Sequence, residues 1–346
     1  MSMHLVKQRA ATPFAQGPAA GPLRAPHPVC QAQCRHARAH VTAALRQDYS
    51  QMSARTAQLR RLLCSPDILM TPCCYDGLSS RLIEAAGFQA AFMSGFCTSA
   101  ARLGAPDAGL LSYAEMTEQA RCCVEATAAL PIIGDGDTGY GNAMNVKRTV
   151  RGYAAAGLSG ILLEDQEWPK SCGHVGRKRV VGREEALARV RAACDARDEG
   201  SGIVVIARSD ARQAVGLSEA LHRAAAFAEA GADVVFVDAL ESDEEMTALC
   251  GVAGVVKMAN MLEGGRTPIL PPHALQAMGF GIVAYPLSLL GVCISGMQQA
   301  LQDLKGGHIP AGLPSFQEIQ GVVGFPEYFR EADHYKATSQ GAVGSP

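Results

Sequence analysis

No run of 18 or more apolar residues occurs in the 346-residue chain, so nothing in it reads as a membrane-spanning helix. Acidic residues are missing from the first 47 positions, which hold six basic ones: Lys7, Arg9, Arg24, Arg35, Arg38 and Arg46. This stretch is rich in Ala, Arg, Pro and His, poor in serine, and lacks a signal-peptide apolar core. It reads as an organelle transit peptide, mitochondrial or chloroplast. The other reading is a basic tail without addressing value, which would leave the protein cytoplasmic. Beyond it stand 25 basic and 33 acidic residues, a net of −8. Such a surface repels polyanions, which argues against nucleic acid as a partner.

Spaced CxxC pairs are absent as well, so the twelve cysteines suggest no zinc site. Cys73-Cys74 and Cys122-Cys123 are adjacent pairs, awkward for mutual disulfides. Most of the cysteines read as small buried hydrophobes in a reducing compartment. No GxGxxG turn follows the first apolar run, which counts against a dinucleotide-binding open sheet.

What is present is a repeated unit. Hydrophobic content of 48% and charged content of 18% describe a globular chain with a sizeable core. From about residue 57, helical patterns end in Ala/Gly, a short loop follows, and an apolar run closes on a polar residue. Gly87, Gly157, Gly231 and Gly279 stand where a helix needs a left-handed stop. Apolar runs near 67–73, 90–94, 131–135, 160–164, 203–208, 234–238, 254–260 and 281–285 read as buried parallel strands. Helical patterns lie roughly at 76–86, 112–129, 144–156, 183–198, 217–230, 242–250, 272–278 and 288–304. Eight alternating units predict an α/β fold, a closed (β/α)₈ TIM-type barrel. The chain divides into a basic, disordered leader over 1–52, the barrel over 53–305 and an extension over 306–346. That extension should pack outside the barrel or on a neighbouring subunit. Two connections, 94–111 and 165–182, are long, and both follow strands, on the face where a barrel keeps its site.

The strand ends carry the chemistry. They read Ser94-Gly95, Asp135 with Asp137, Glu164, Arg208, Asp238, Asn260 and Tyr285-Pro286. Two aspartates at i and i+2 on a Gly-rich turn, with a glutamate from the next strand end, suit a hard divalent cation such as Mg²⁺. Arg208 and the amide donors suit a carboxylate or an enolate. In the second long connection, Lys170-Ser-Cys-Gly-His174 sets a thiol beside a histidine and near a lysine, a setting that lowers a thiol pKa. Any one of these residues could be a helix cap or a surface polar. Together they are hard to explain structurally.

Seven stretches resemble the isocitrate lyase/phosphoenolpyruvate mutase superfamily over about residues 57–305. They are Met93-Ser-Gly-Phe96, Leu103-Gly-Ala-Pro-Asp-Ala-Gly109, Gly134-Asp-Gly-Asp-Thr-Gly139, Leu163-Glu-Asp-Gln166, Lys170-Ser-Cys-Gly-His174, Ala207-Arg-Ser-Asp210 and Asn260-Met-Leu-Glu-Gly-Gly265. The resemblance is strongest to the branch of 2-methylisocitrate lyase, petal death protein and carboxyvinyl-carboxyphosphonate phosphorylmutase. It implies a barrel whose eighth helix is exchanged between subunits, usually in a tetramer, with Mg²⁺ (or Mn²⁺) and a small carboxylic acid as substrate. It further implies Asp135 as the direct metal ligand, with Asp107, Asp137 and Glu164 helping directly or through waters. Ser94, Gly95 and Phe96 would bind the substrate carboxylate, Asn260 would contact substrate, and Arg208 would steady the enolate. Cys172 would be the acid or base, with Gly173 and His174 beside it.

Two residues depart from the family pattern. Ser171 stands where a second basic residue is usual, and Asp238 where the sixth strand usually ends in Glu. The implied reaction is Mg²⁺-dependent carbon–carbon cleavage of a 2-methylisocitrate- or 2-alkylmalate-like acid. Phosphoenolpyruvate or carboxyphosphonoenolpyruvate mutation, oxaloacetate hydrolysis, and a retired barrel serving as an oligomeric binding protein are the alternatives. The family's phosphoenolpyruvate mutases lack the Cys-Gly-His segment, so Cys172 favours the lyase.

Overall fold

A computed structural model describes residues 45–171 and 178–339. In chain order the elements are α1 (Ala54–Leu63), β1 (Leu69–Cys74), α2 (Gly77–Ala85), β2 (Ala91–Met93), α3 (Gly95–Leu103), α4 (Tyr113–Glu125) and β3 (Ile132–Asp135). They continue with α5 (Ala143–Ala155), β4 (Gly160–Glu164), α6 (Arg183–Ala196), β5 (Val204–Ser209), α7 (Ala211–Ala214), α8 (Leu217–Glu229) and β6 (Val234–Val237). The last are α9 (Asp243–Cys250), β7 (Val256–Asn260), α10 (Pro272–Met278), β8 (Ile282–Tyr285), α11 (Ser288–Lys305), α12 (Phe316–Val323) and α13 (Phe325–Ser339). The eight strands pair in parallel, each with the next, and β8 closes on β1. The predicted (β/α)₈ barrel is the fold.

Alternation along each strand sorts the core into two layers. Leu162, Ile206, Phe236, Met258 and Ile282 point into the barrel, while Ile161, Leu163, Val205 and Val235 face the surrounding helices. Gly87, Gly157, Gly231 and Gly279 all take the left-handed conformation, with φ of 83°, 93°, 100° and 116°. Each ends its helix and turns the chain toward the next strand.

Two features differ from the sequence expectation, and a third adds detail to it. The connection 94–111 contains a helix, α3, because Ser94 caps its start through Cys97 N and Gly104 ends it at φ 61°. Phe96, Cys97, Ala100 and Ala101 recur in it at helical spacing, though over only nine residues.

The second difference concerns residues 45–52, which the sequence assigns to the leader. They pack against the barrel floor. Leu45 is buried, Gln51 N donates to Gly200 O at 2.8 Å, and the Arg60 guanidinium lies 4.9 Å from the Tyr49 ring centre. Helix α1 continues this floor with Leu59 and Leu63 in the inner cluster. Residues 1–44 and 340–346 lie outside the described residues.

Third, the C-terminal extension is helical. Helix α12 ends at Gly324, which lies against the Arg81 guanidinium of α2, outside the barrel. No helix among the described residues is long and apolar enough to cross a membrane.

Candidate active site

The carboxyl ends of the strands open on one pocket of about 670 Å³, counting its open mouth. Ser94, Phe96, Asp107, Asp135, Glu164, Arg208, Asp238 and Asn260 all line it, so the barrel brings together most of the residues named from the sequence. Lys170 and Ser171 line it too. Cys172, Gly173 and His174 lie outside the described residues.

Local geometry explains how each group is held. After β3 the chain turns through Gly136 to Gly139, with Gly139 N bonded to Gly136 O at 2.9 Å and Asp137 at a φ of 48°. Gly136 N donates to Leu162 O at 2.8 Å, and Glu164 N donates to Asp137 O at 2.9 Å. The turn therefore extends the β3–β4 ladder and fixes Asp137 beside Glu164. The Asp135 carboxylate accepts from Asp137 N at 3.1 Å and from Gly95 N at 3.2 Å. A Cβ at position 95 would lie 2.6 Å from Asp135 Oδ2, so this approach requires glycine.

Lys170, which the sequence offers only as a basic neighbour of the thiol, holds two of the acids. Its buried ammonium lies 2.6 Å from Asp107 Oδ1 and 2.5 Å from Asp137 Oδ1. Burial alone would lower its pKa, but Asp137, Asp135, Asp107 and Glu164 raise it well above the ordinary value. Burial pushes Asp137 the other way for an acid, up to about 6, with Lys170 opposing the shift. Glu164 is also driven upward, mainly by burial and against the pull of Arg208.

The other half of the ring centres on Arg208, in register opposite Glu164 on β4 and Phe236 on β6. Its Nη2 donates to Asp210 Oδ1 and Asp238 Oδ2, both at 2.9 Å, and its Nε lies 3.4 Å from Glu164 Oε2. Lys178, from the far end of the 165–182 connection, pairs with the same two aspartates. Lys178 was not singled out from the sequence, and Asp210 appears there only as the end of the Ala207-Arg-Ser-Asp210 motif, without a role. Lys178 sits in the run Arg177-Lys-Arg179, where nothing distinguishes it from a solvated basic residue. The Ser94 hydroxyl caps α3, and the residue also lines the pocket.

The donor set can be compared with what a hard cation requires. No three Asp, Glu, His or Cys side chains among the described residues converge into a ready metal cage. Mg²⁺ needs no such cage, since it keeps several waters and takes one or two carboxylates. Asp135 on the wall, and Glu164 Oε1 buried with no hydrogen-bond partner among the described residues, form a donor set of that kind. Asp107 and Asp137, held by Lys170, stand behind it.

A family model described as phosphoenolpyruvate phosphomutase matches residues 59–305, and the chain belongs to that family. It is 40% identical over 288 residues to 2,3-dimethylmalate lyase of Eubacterium barkeri, covering 82% of this chain and 99% of that one. It is 37% identical to the chloroplastic carboxyvinyl-carboxyphosphonate phosphorylmutase of Arabidopsis thaliana, over 80% of this chain and 84% of the relative. Among solved structures, oxaloacetate acetylhydrolase in complex with 3,3-difluorooxalacetate has a TM-score of 0.79 at 32% identity, covering 84% of this chain and 99% of that one. The superfamily resemblance read from the motifs holds. The chain is an enzyme, a carbon–carbon lyase of the isocitrate lyase/phosphoenolpyruvate mutase superfamily.

Proposed function

We propose that the enzyme cleaves the C2–C3 bond of a 2-hydroxy dicarboxylic acid of the 2-alkylmalate type, giving a 2-oxo acid and a carboxylic acid. The observation that carries this is the composition of the pocket. Acids, Asp135 and Glu164, and apolar side chains, Phe92, Leu162, Phe236, Met258 and Leu262, line it together. Its two cations among the described residues, Lys170 and Arg208, are already paired with protein carboxylates. A third substrate carboxylate, as in 2-methylisocitrate, would find no spare cation among them, whereas an alkyl branch would find apolar walls.

Asp135 would hold Mg²⁺, with Glu164, Asp107 and Asp137 assisting through waters; the ion would supply charge stabilisation at the 2-oxo acid end. Arg208 faces the same region and would bind the substrate oxygen on which negative charge develops. The hydroxyl proton leaves to a base, the hydroxyl oxygen becomes the new carbonyl, and the bond pair passes to the departing carboxylic acid as its enolate. Cys172 follows directly on the wall residues Lys170 and Ser171, which supports it as the acid that protonates the enolate carbon. Exclusion of water keeps that carbanion equivalent from premature quenching.

The deciding experiment offers (2R)-alkylmalates, 2-methylisocitrate, oxaloacetate and phosphonopyruvate to the protein with Mg²⁺ and with EDTA. Release of a 2-oxo acid from the alkylmalates is expected. It should stop with EDTA and fall about 10²–10⁴-fold in Cys172→Ser. Turnover of phosphonopyruvate alone, indifferent to Cys172, would transfer the enzyme to phosphorus–carbon chemistry.

We also propose a homo-oligomer. Of the residues of α11 only Leu290 is buried, while Val292, Met297, Leu301 and Leu304 stand exposed. A second copy of the chain, exchanging this eighth barrel helix, would cover them.

A further inference from the structure

Lys178 comes from a loop, yet its ammonium is wholly buried at the barrel mouth. Taking a lysine out of water costs several kcal/mol, and an apolar side chain of similar size generally serves packing at least as well. The charge therefore calls for an explanation beyond stability. Its partners supply one. Lys178 Nζ contacts Asp210 Oδ1 and lies 2.7 Å from Asp238 Oδ2, the same two oxygens that grip Arg208 Nη2. Asp210 is saturated, since its Oδ2 also accepts from Arg208 Nε at 3.1 Å and Gln166 Nε2 at 3.2 Å.

Charge counting shows what Lys178 does. Glu164, Asp210 and Asp238 present three carboxylates to Arg208. Without Lys178 the guanidinium would face them alone, and its positive field at the pocket would be consumed. With Lys178 sharing two of them, Arg208 keeps both a fixed plane and usable charge. We propose that Lys178 is a positioning residue, which holds Arg208 at the pocket wall through the shared carboxylates of Asp210 and Asp238.

The same hub fixes the other leg of the loop. Gln166 Oε1 accepts from Ser171 N at 3.0 Å, and its Nε2 donates to Ser171 O at 3.1 Å as well as to Asp210. Because backbone atoms make the tie at 171, serine serves there without the usual basic side chain. Lys178 and Ser171, which flank residues 172–177, are thus both referenced to Asp210.

The assignment rests on Arg208 acting on the substrate as proposed above. The test is built to separate the two claims. Oxalate, a planar dianion that carries the adjacent carboxylate and carbonyl oxygens of a 2-oxo acid, is titrated calorimetrically with MgCl₂ into full-length wild type, K178M, R208M and K178M/R208M. K178M should bind oxalate about tenfold more weakly, and the double variant should bind no more weakly than R208M alone, because both changes act through one guanidinium. In turnover, K178M should lose kcat with KM little changed. Should K178M fail to fold, K178M/D210N removes one charge of each sign and undergoes the same comparison. Wild-type oxalate affinity in the lysine variant, or losses that add in the double variant, would overturn the assignment. If no hydroxy acid is turned over by wild type, the lyase proposal falls while the oxalate comparison still decides the role of Lys178.

Discussion

Glu84 shows how much one side chain can organise. It stands at the end of α2, and its carboxylate accepts from Ala128 N and Ala129 N at 2.9 Å and from Leu130 N at 3.0 Å. Those three amides precede β3, so Glu84 fixes the entry of the strand that ends in Asp135. Burial pushes its pKa up, but the three N–H bonds and Arg55 outweigh that and hold it below the ordinary 4.5. A depressed carboxylate stabilises the fold above its unfolded value and loses that contribution as pH falls through the folded one. Glu84→Gln should cost about 1 kcal/mol at pH 7, given the site's partial exposure. In melts at successive pH values the gap to wild type should narrow below pH 4.5; a gap of constant size would show that charge is not involved. In the sequence, Glu84 was only the last acid before a helix-ending Ala-Ala-Gly. Its three partners lie more than 40 residues away, and no local pattern marks them.

Among the elements, the two long connections decide the site, and a single tryptophan joins them. Trp168 lies against Gly109, where φ is 71° and an added Cβ would come within 2.8 Å of the indole. Gly109 ends the segment that carries Asp107, and Trp168 precedes Lys170, so this contact holds the Asp107–Lys170 pair together. Tyr140 packs 6.5 Å from the indole centre and Tyr113 6.1 Å from Tyr140, extending the stack to α4. Gly109→Ala combines a strained backbone with that clash, at about 1–3 kcal/mol. It should shift the emission of the chain's one tryptophan and lower turnover at least tenfold, with far-UV circular dichroism unchanged. Unaltered fluorescence and turnover would mean that the loops are held by other contacts. The sequence located both connections by length and position. It missed α3, only nine residues long, and it read Lys170 as a neighbour of the thiol alone, because a lysine seeking two distant aspartates leaves no spacing to read.

On the scale of the whole molecule, the barrel needs its floor. Leu45 belongs to the inner cluster, and burying a leucine contributes about 1.5–3 kcal/mol. A chain beginning at Ser53 should therefore melt roughly 5 °C or more below one beginning at Ala44. Equal melting temperatures would show that residues 45–52 add nothing. Sedimentation or light scattering should give a multiple of the 36.3 kDa chain mass. Val292→Asp with Met297→Glu should shift it toward the monomer; a monomeric wild type would remove the proposed helix exchange. Strand and helix order was legible because it is local. A buried parallel strand must be an unbroken apolar run, and a helix that ends before one needs a glycine stop, so the periodicity at Gly87, Gly157 and Gly231 spelled out the barrel. Which acids could meet was legible too, since every strand end of a barrel opens on the same face. Which charges pair was not. Lys170 with Asp107 and Asp137, and Lys178 with Asp210 and Asp238, are matches set by distances that exist only once strands β2 to β6 lie side by side. A side chain's electrostatic partner is fixed by where the fold puts it, and the linear order of residues does not contain that distance.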